Sequence, residues 1–251
     1  GNHGLLLVGI ASRAIESDQL ESALVLAGTL EAALNHLQGR KQLADREAAL
    51  QTETERADRL EEIVDLTHEV EAALTEATDP AEIERAVCRR LVSNGPFEVA
   101  WIGRVSIGFD QLQPKQLEGA GKDYADKFQL RTATPPADPH PAIEAWNSGA
   151  TQVENSLLSE GPHGDWREIV LGEGIQSVCA VPLSYEGVKE GVLCVESSTP
   201  NEFDDRIREV LDQLGTSIGH ALSAIERRRA LETAERVELE FQGREACCQR
   251  P

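Results

Sequence analysis

The chain has 251 residues, 44 acidic and 24 basic, for a formal net charge of −20. Its 40% hydrophobic and 27% charged residues are the mix of a globular chain, but aromatics are only 4%, so a core must rest on Leu, Val, Ile and Ala. The acid excess argues against nucleic-acid binding by this segment, since phosphate contacts need a basic face. The longest apolar runs, such as Leu5 to Val8, fall far short of the roughly 18 residues of a membrane span.

Lysine occurs only at positions 41, 115, 122, 127 and 189; every other basic residue is arginine. Acid excess with scarce lysine predicts a protein of a salt-accumulating halophile, where high salt screens the self-repulsion. No basic segment leads into an apolar one, so a cytoplasmic location is expected. The five cysteines (88, 179, 194, 247 and 248) form neither a regular framework nor a C-x-x-C pair, which predicts no disulfide scaffold and no metal site. Methionine is absent even at position 1, and the chain opens inside a strand-like pattern, as a piece of something longer would.

The N-terminal elements are read through an internal repeat. His3-Gly4-Leu5-Leu6-Leu7-Val8 matches Glu190-Gly191-Val192-Leu193-Cys194-Val195, 187 positions later, and Gly28-Thr29 matches Gly215-Thr216 at the same offset. Arg40 to Leu43 then matches Arg228 to Leu231 after one single-residue gap. If residues 190–231 close a domain, residues 1–38 are the remnant of an earlier one, a strand and then a helix over 18–37.

Gly39 interrupts that helical pattern, which resumes from Arg40 to Ala77. Leu43, Leu50, Ala57 and Val64 recur every seven residues, and Leu60, Thr67 and Leu74 form a second series. Its earlier members, Arg46 and Glu53, are charged, so residues 39–59 predict a weak coiled coil that links two modules. So polar a helix wants a partner, and a parallel homodimer through it is expected.

A domain over residues 60–231 follows. Thr78-Asp79-Pro80 breaks the helix and starts another, with Asp79 as N-cap and Glu82 completing a capping box. Phe97 to Val105 is a near-continuous apolar strand and Gln113 to Gly119 its antiparallel neighbour. Tyr124 and Phe128 mark a short helix, Thr134 to Pro141 a rigid loop, and Ile143 to Asn147 another helical turn. Thr151 to Leu157 is a strand, Trp166 to Leu171 a helix, and Gln176 to Leu183 with Gly191 to Ser197 a hairpin about Glu186-Gly187. Asp204 to Leu231 is a long closing helix, and Val237 to Phe241 the first strand of a truncated downstream module spanning 232–251. This order predicts an α+β fold, an antiparallel sheet with helices on one face and a loop-rich pocket on the other.

That order resembles the GAF domain, and most closely the haloarchaeal bacterio-opsin-activator-like regulators. The stretches that carry the likeness are Ala86-Val87-Cys88, Phe97 to Gly103, Asp165-Trp166-Arg167, Ser177 to Leu183 and Gly191-Val192-Leu193. It covers about residues 60–231. The resemblance implies a non-catalytic sensory module, sensing a small ligand or redox state, within a regulator that carries DNA binding elsewhere. The alternatives are a purely structural dimerisation spacer or the sensor portion of a histidine kinase. Against the latter, Thr67-His68-Glu69-Val70 lacks the residues that should follow a phospho-acceptor histidine.

Pocket candidates follow from the same likeness. Trp166 and Arg167 precede the hairpin, where GAF ligands lie, and Trp101, Tyr124, Trp146 and Cys179 would line the same side. Functionally this is an aromatic pocket with an arginine for an anionic ligand. Structurally, it is a tryptophan plug with Arg167 in an ion pair. A two-residue turn at Glu186-Gly187 would set Cys179 opposite Cys194, with β-carbons about 4.5–5.5 Å apart. They are then either a reversible redox pair or two inert buried thiols. No carboxylate pair or nucleophile–base set stands out, so no enzyme is expected, and no cofactor is identified.

Overall fold

Local start signals at Asp79, His140 and Asp204 set where three of the helices begin. In this computed structural model, residues 17–105, 110–119, 124, 127, 130–133, 138–158 and 165–248 are described, without the side chains of 17–20, 23 and 237–248. The strand expected at residues 5–8, the helix around Phe128 and the Thr134–Ala137 loop lie outside them.

Helix α1 (Ser17–Glu76) runs through Gly39 without a break. One glycine costs about 1 kcal/mol in a helix, and no proline or capping residue accompanies it to stop the chain there. The stop comes at Thr78-Asp79-Pro80. Asp79 Oδ1 accepts the Ala81 N–H at 2.8 Å, and Glu82 reaches back to accept the Thr78 N–H at 2.9 Å. Pro80, at the first position of α2 (Pro80–Ser93), gives up no needed donor.

The strands are β1 (Val99–Val105), β2 (Leu112–Glu118), β3 (Gln152–Glu154), β4 (Ser177–Tyr185) and β5 (Val188–Ser197). They form one antiparallel sheet in the order β2-β1-β5-β4-β3. Helices α3 (Pro141–Ser148) and α4 (Asp165–Gly172) interrupt the strands, and α5 (Asp205–Cys248) closes the chain. Asp204 caps α5 by accepting the N–H groups of Arg206 and Ile207, both at 3.0 Å. The strand expected at Val237–Phe241 is instead part of α5. That stretch follows Glu232, Ala234, Glu235 and Arg236, good helix formers with no glycine or proline among them, so helical propagation wins over a short β-like pattern.

The chain divides into two compact units, Gly1–Asp58 and Arg59–Pro251. In the first, Leu24, Leu30, Leu34, Leu37, Leu43 and Leu50 are all exposed. In the second, the sheet is covered on both faces. Ala100, Ile102, Val181, Leu183, Leu193 and Val195 pack against Ile63, Leu66 and Val70 of α1, Ile83, Val87 and Leu91 of α2, and Leu211, Leu214, Ile218 and Leu222 of α5. Full burial of each such valine, leucine or isoleucine contributes about 1.5–3 kcal/mol. Glycines let α5 lie this close to β4: a Cβ at Gly219 would stand 2.7 Å from the Ser184 backbone nitrogen. Arg104 of β1 fastens the helical layer, bonding Glu84 of α2 at 2.7 Å and Glu226 of α5 at 2.5 Å.

Candidate functional site

The other face of the sheet carries the aromatic residues. Side chains alternate along a strand, so Val99 and Trp101 of β1, Val178 and Ala180 of β4, and Val192 and Cys194 of β5 share it. α3, α4, Tyr124, Leu130 and Leu157 cover them.

At its centre is a carboxylate. Glu196 continues the Val192, Cys194 series and is fully buried. Trp101 donates its indole N–H to Oε1 at 2.9 Å and Tyr124 its hydroxyl to Oε2 at 2.6 Å. The Cys194 thiol lies 3.9 Å from Oε1. Burial raises the Glu196 carboxyl to about 7, against the lowering effect of the Tyr124, Trp101 and Cys194 contacts. Burial likewise raises the Tyr124 hydroxyl, reinforced by the charge of Glu196.

His140 completes the cluster. It is the N-cap of α3, its Nδ1 accepting the Ala142 N–H at 3.1 Å, and Pro141 follows at the first helical position. An accepting Nδ1 puts the ring proton of neutral imidazole on Nε2. The ring meets Trp166 edge-on at 4.8 Å between centroids and Trp101 at 5.8 Å. Full burial lowers its pKa to about 3. One donor atom each from His140, Cys194 and Glu196 lie within 4.8 Å of one another.

Arg167 stands beside the cluster, donating Nε–H to Asp138 at 3.0 Å and Nη2–H to Glu154 at 2.7 Å, with its guanidinium over the Trp166 ring at 4.9 Å. Its Nη1 is buried without a hydrogen-bond partner among the described residues. Trp166 donates its own N–H to the Asp138 carbonyl at 3.1 Å. Thus the α4 pair is locked to the loop before α3 and to β3.

The structure therefore brings Trp101, Tyr124, Trp166 and Arg167 together, with Trp146 at the edge under the Lys189 ammonium, 5.4 Å from its ring centroid. It does not bring Cys179 there. A register shift between Leu183 and Ser184 places Cys179 opposite Val195 and Ala180 opposite Cys194. One extra residue reverses the faces of everything beyond it. Cys179 thus packs into the helical core and Cys194 into the aromatic face, so the two thiols do not oppose each other. Sequence reasoning missed His140 and Glu196. The available signals were the Cys194-x-Glu196 spacing in a buried run, and a histidine before a helix-starting proline.

Comparison with known proteins fits this architecture. The profile of the GAF domain matches residues 77–223, more than half of the chain. This chain belongs to the GAF domain family. Among curated relatives, a transcriptional regulator of Haloferax volcanii is 30% identical over 81% of this chain and 33% of its own length. The bacterioopsin transcriptional activator of Halobacterium salinarum is 29% identical over 73% of this chain and 26% of its own. The chain thus spans about a third or less of these regulators.

Solved GAF structures share the fold at low identity. The GAF domain of a phosphoenolpyruvate-protein phosphotransferase from Coxiella burnetii has a TM-score of 0.57 at 10% identity, over 68% of this chain and 98% of that one. Free methionine-R-sulfoxide reductase from Neisseria meningitidis, solved with its substrate, has a TM-score of 0.54 at 17% identity, over 65% and 89%. The GAF fold therefore occurs in enzymes as well as in regulators. Among the described residues no helix is long and apolar enough to cross a membrane.

Proposed function

We propose that this GAF domain is a cytosolic, non-catalytic sensory module of a haloarchaeal transcriptional regulator. In this reading a small signal acts on the cluster around Glu196, and α1 and α5 carry the response to neighbouring modules. A shortened GAF copy precedes the domain, and a parallel homodimer forms through the exposed leucines of α1. DNA binding belongs to another part of the regulator.

The observation that carries this reading is a fully buried carboxyl group on the face of the sheet opposite the helices that leave the domain. A buried ionisable group with a pKa near 7 changes state with small changes in its surroundings, and β5 has both cores on its two faces. Support for a non-catalytic role comes from the cysteines. Cys88, Cys179 and Cys194 are all buried and burial raises all three thiols, the reverse of an activated nucleophile.

A second reading, a structural dimerisation spacer, is favoured by one observation: Trp101, Tyr124 and Trp166 are at most 5% exposed and themselves fill the space over the sheet. Transcript profiling separates the two. Glu196→Gln in the full-length regulator, expressed in a haloarchaeal host, is predicted to alter the transcript response while protein abundance is unchanged. An unchanged response, with loss only on Leu43→Asp and Leu50→Asp in α1, would leave the spacer.

A further inference from the structure

We infer that His140, Cys194 and Glu196 form a binding site for a borderline-soft divalent transition metal ion, of the Zn²⁺ or Fe²⁺ class. The inference stands on side-chain geometry and does not depend on the sensory reading.

The donors come from separate elements that the fold brings together. Cys194 and Glu196 are two apart on β5 and project from the same face, and His140 descends on them from the start of α3. All three residues are buried, and their donor atoms already lie within 4.8 Å of one another. Tetrahedral zinc with bonds of about 2.0–2.3 Å holds its ligands about 3.3–3.8 Å apart. Closing on an ion thus needs roughly 1 Å of movement, within reach of side-chain rotation.

The donor types select the class of ion. Magnesium and calcium take oxygen ligands, whereas imidazole, thiolate and one carboxylate suit zinc or ferrous iron. Three protein donors leave a fourth position of a tetrahedral ion open to a small ligand. The surroundings are those of a ligand set held in place. Trp101 and Tyr124 fix one oxygen each of Glu196, at 2.9 and 2.6 Å, leaving each oxygen a further lone pair. Trp101 and Trp166 hold the imidazole.

Two adjustments accompany binding. The Cys194 thiol gives up its proton to solvent. Ligation through Nε2 moves the His140 ring proton to Nδ1, which ends the hydrogen bond from the Ala142 N–H. A lost cap is a small penalty beside the free energy of transition-metal ligation.

Cobalt(II) tests the site directly, because a thiolate ligand gives it a near-ultraviolet charge-transfer band and tetrahedral geometry gives it strong visible bands. The probe is Co²⁺, titrated in molar potassium chloride into the chelator-treated 251-residue chain carrying Cys247→Ser and Cys248→Ser, which removes two adjacent competing thiols. One equivalent should bind with both features. Cys194→Ser should abolish the thiolate band, while Cys179→Ser, on the opposite face, should keep it. If Cys194→Ser does not fold, His140→Gln and Glu196→Gln must each weaken Co²⁺ at least tenfold. No binding, binding without the thiolate band, a band that survives Cys194→Ser, or affinity unchanged in the other two variants overturns the site and leaves a metal-free hydrogen-bonded cluster.

Discussion

The hydroxyl of Tyr124 lies 2.6 Å from Oε2 of Glu196, and both side chains are within 1% of complete burial. The phenol donates to the carboxylate, and this bond lowers the Glu196 pKa against the opposing effect of burial. Tyr124→Phe should therefore push that pKa above 7. The variant should lose about 1.5–3 kcal/mol where Glu196 is ionised and less where it is protonated. Denaturant unfolding at pH 8 and pH 5 measures the difference; an equal loss at both would contradict the hydrogen bond's role.

Glu196 and His140 impose opposite pH slopes on stability. The Glu196 carboxyl is raised to about 7 from 4.5, so the folded state holds its proton longer than the unfolded one. Its contribution is full below pH 4.5 and is lost as pH rises to 7, on the order of 3 kcal/mol in all. His140 is lowered to about 3 from 6.5, so its contribution is present above 6.5 and is lost as pH falls through 3. The two slopes partly cancel between pH 4.5 and 6.5. Glu196→Gln in chelator should expose the histidine term, with stability rising more steeply with pH in that window than in the parent. A flatter profile would contradict this assignment.

Arg167 holds Asp138 and Glu154 together at 3.0 and 2.7 Å. Arg167→Ala would leave two carboxylates facing each other in a partly buried site. The expected loss is about 2 kcal/mol, less than for a fully buried pair because both carboxylates keep some exposure. Arg167→Lys should recover only part of it, since one ammonium cannot reproduce the planar fork. Full rescue by lysine in thermal unfolding would argue that charge alone matters.

Gly219 allows α5 to lie on the backbone of β4. Because the neighbour is main chain, Gly219→Ala must displace the helix, at a cost of about 1–3 kcal/mol despite alanine's better helix propensity. Gly39→Ala, with open space around it, should instead stabilise α1 slightly. Circular dichroism melts of the two variants should move in opposite directions.

The sheet and its helices were legible because their signals are local and redundant. Asp79-Pro80 with Glu82 marks a helix start, and the apolar runs at Phe97–Val105 and Val192–Val195 mark covered strands. The face on which Cys179 lies was not legible, since a single bulge at Leu183/Ser184 inverts it and no residue type there announces it. The centre of the site was hidden for another reason. Glu196 and His140 are polar residues that usually lie at the surface, yet both are buried on the face that α3, α4 and Tyr124 cover. Val237–Phe241 alternates apolar and acidic residues as a strand would, but five residues of alternation do not outweigh a helix already propagating into them.

The carboxyl group of Glu196 sits inside the sheet's aromatic face. Carbon-13 NMR of glutamate-labelled, chelator-treated protein tests it most directly, with the Glu196 side-chain carboxyl assigned through Glu196→Gln. The predicted titration midpoint lies near 7. A midpoint in the ordinary range near 4.5 would place Glu196 in water and contradict the site.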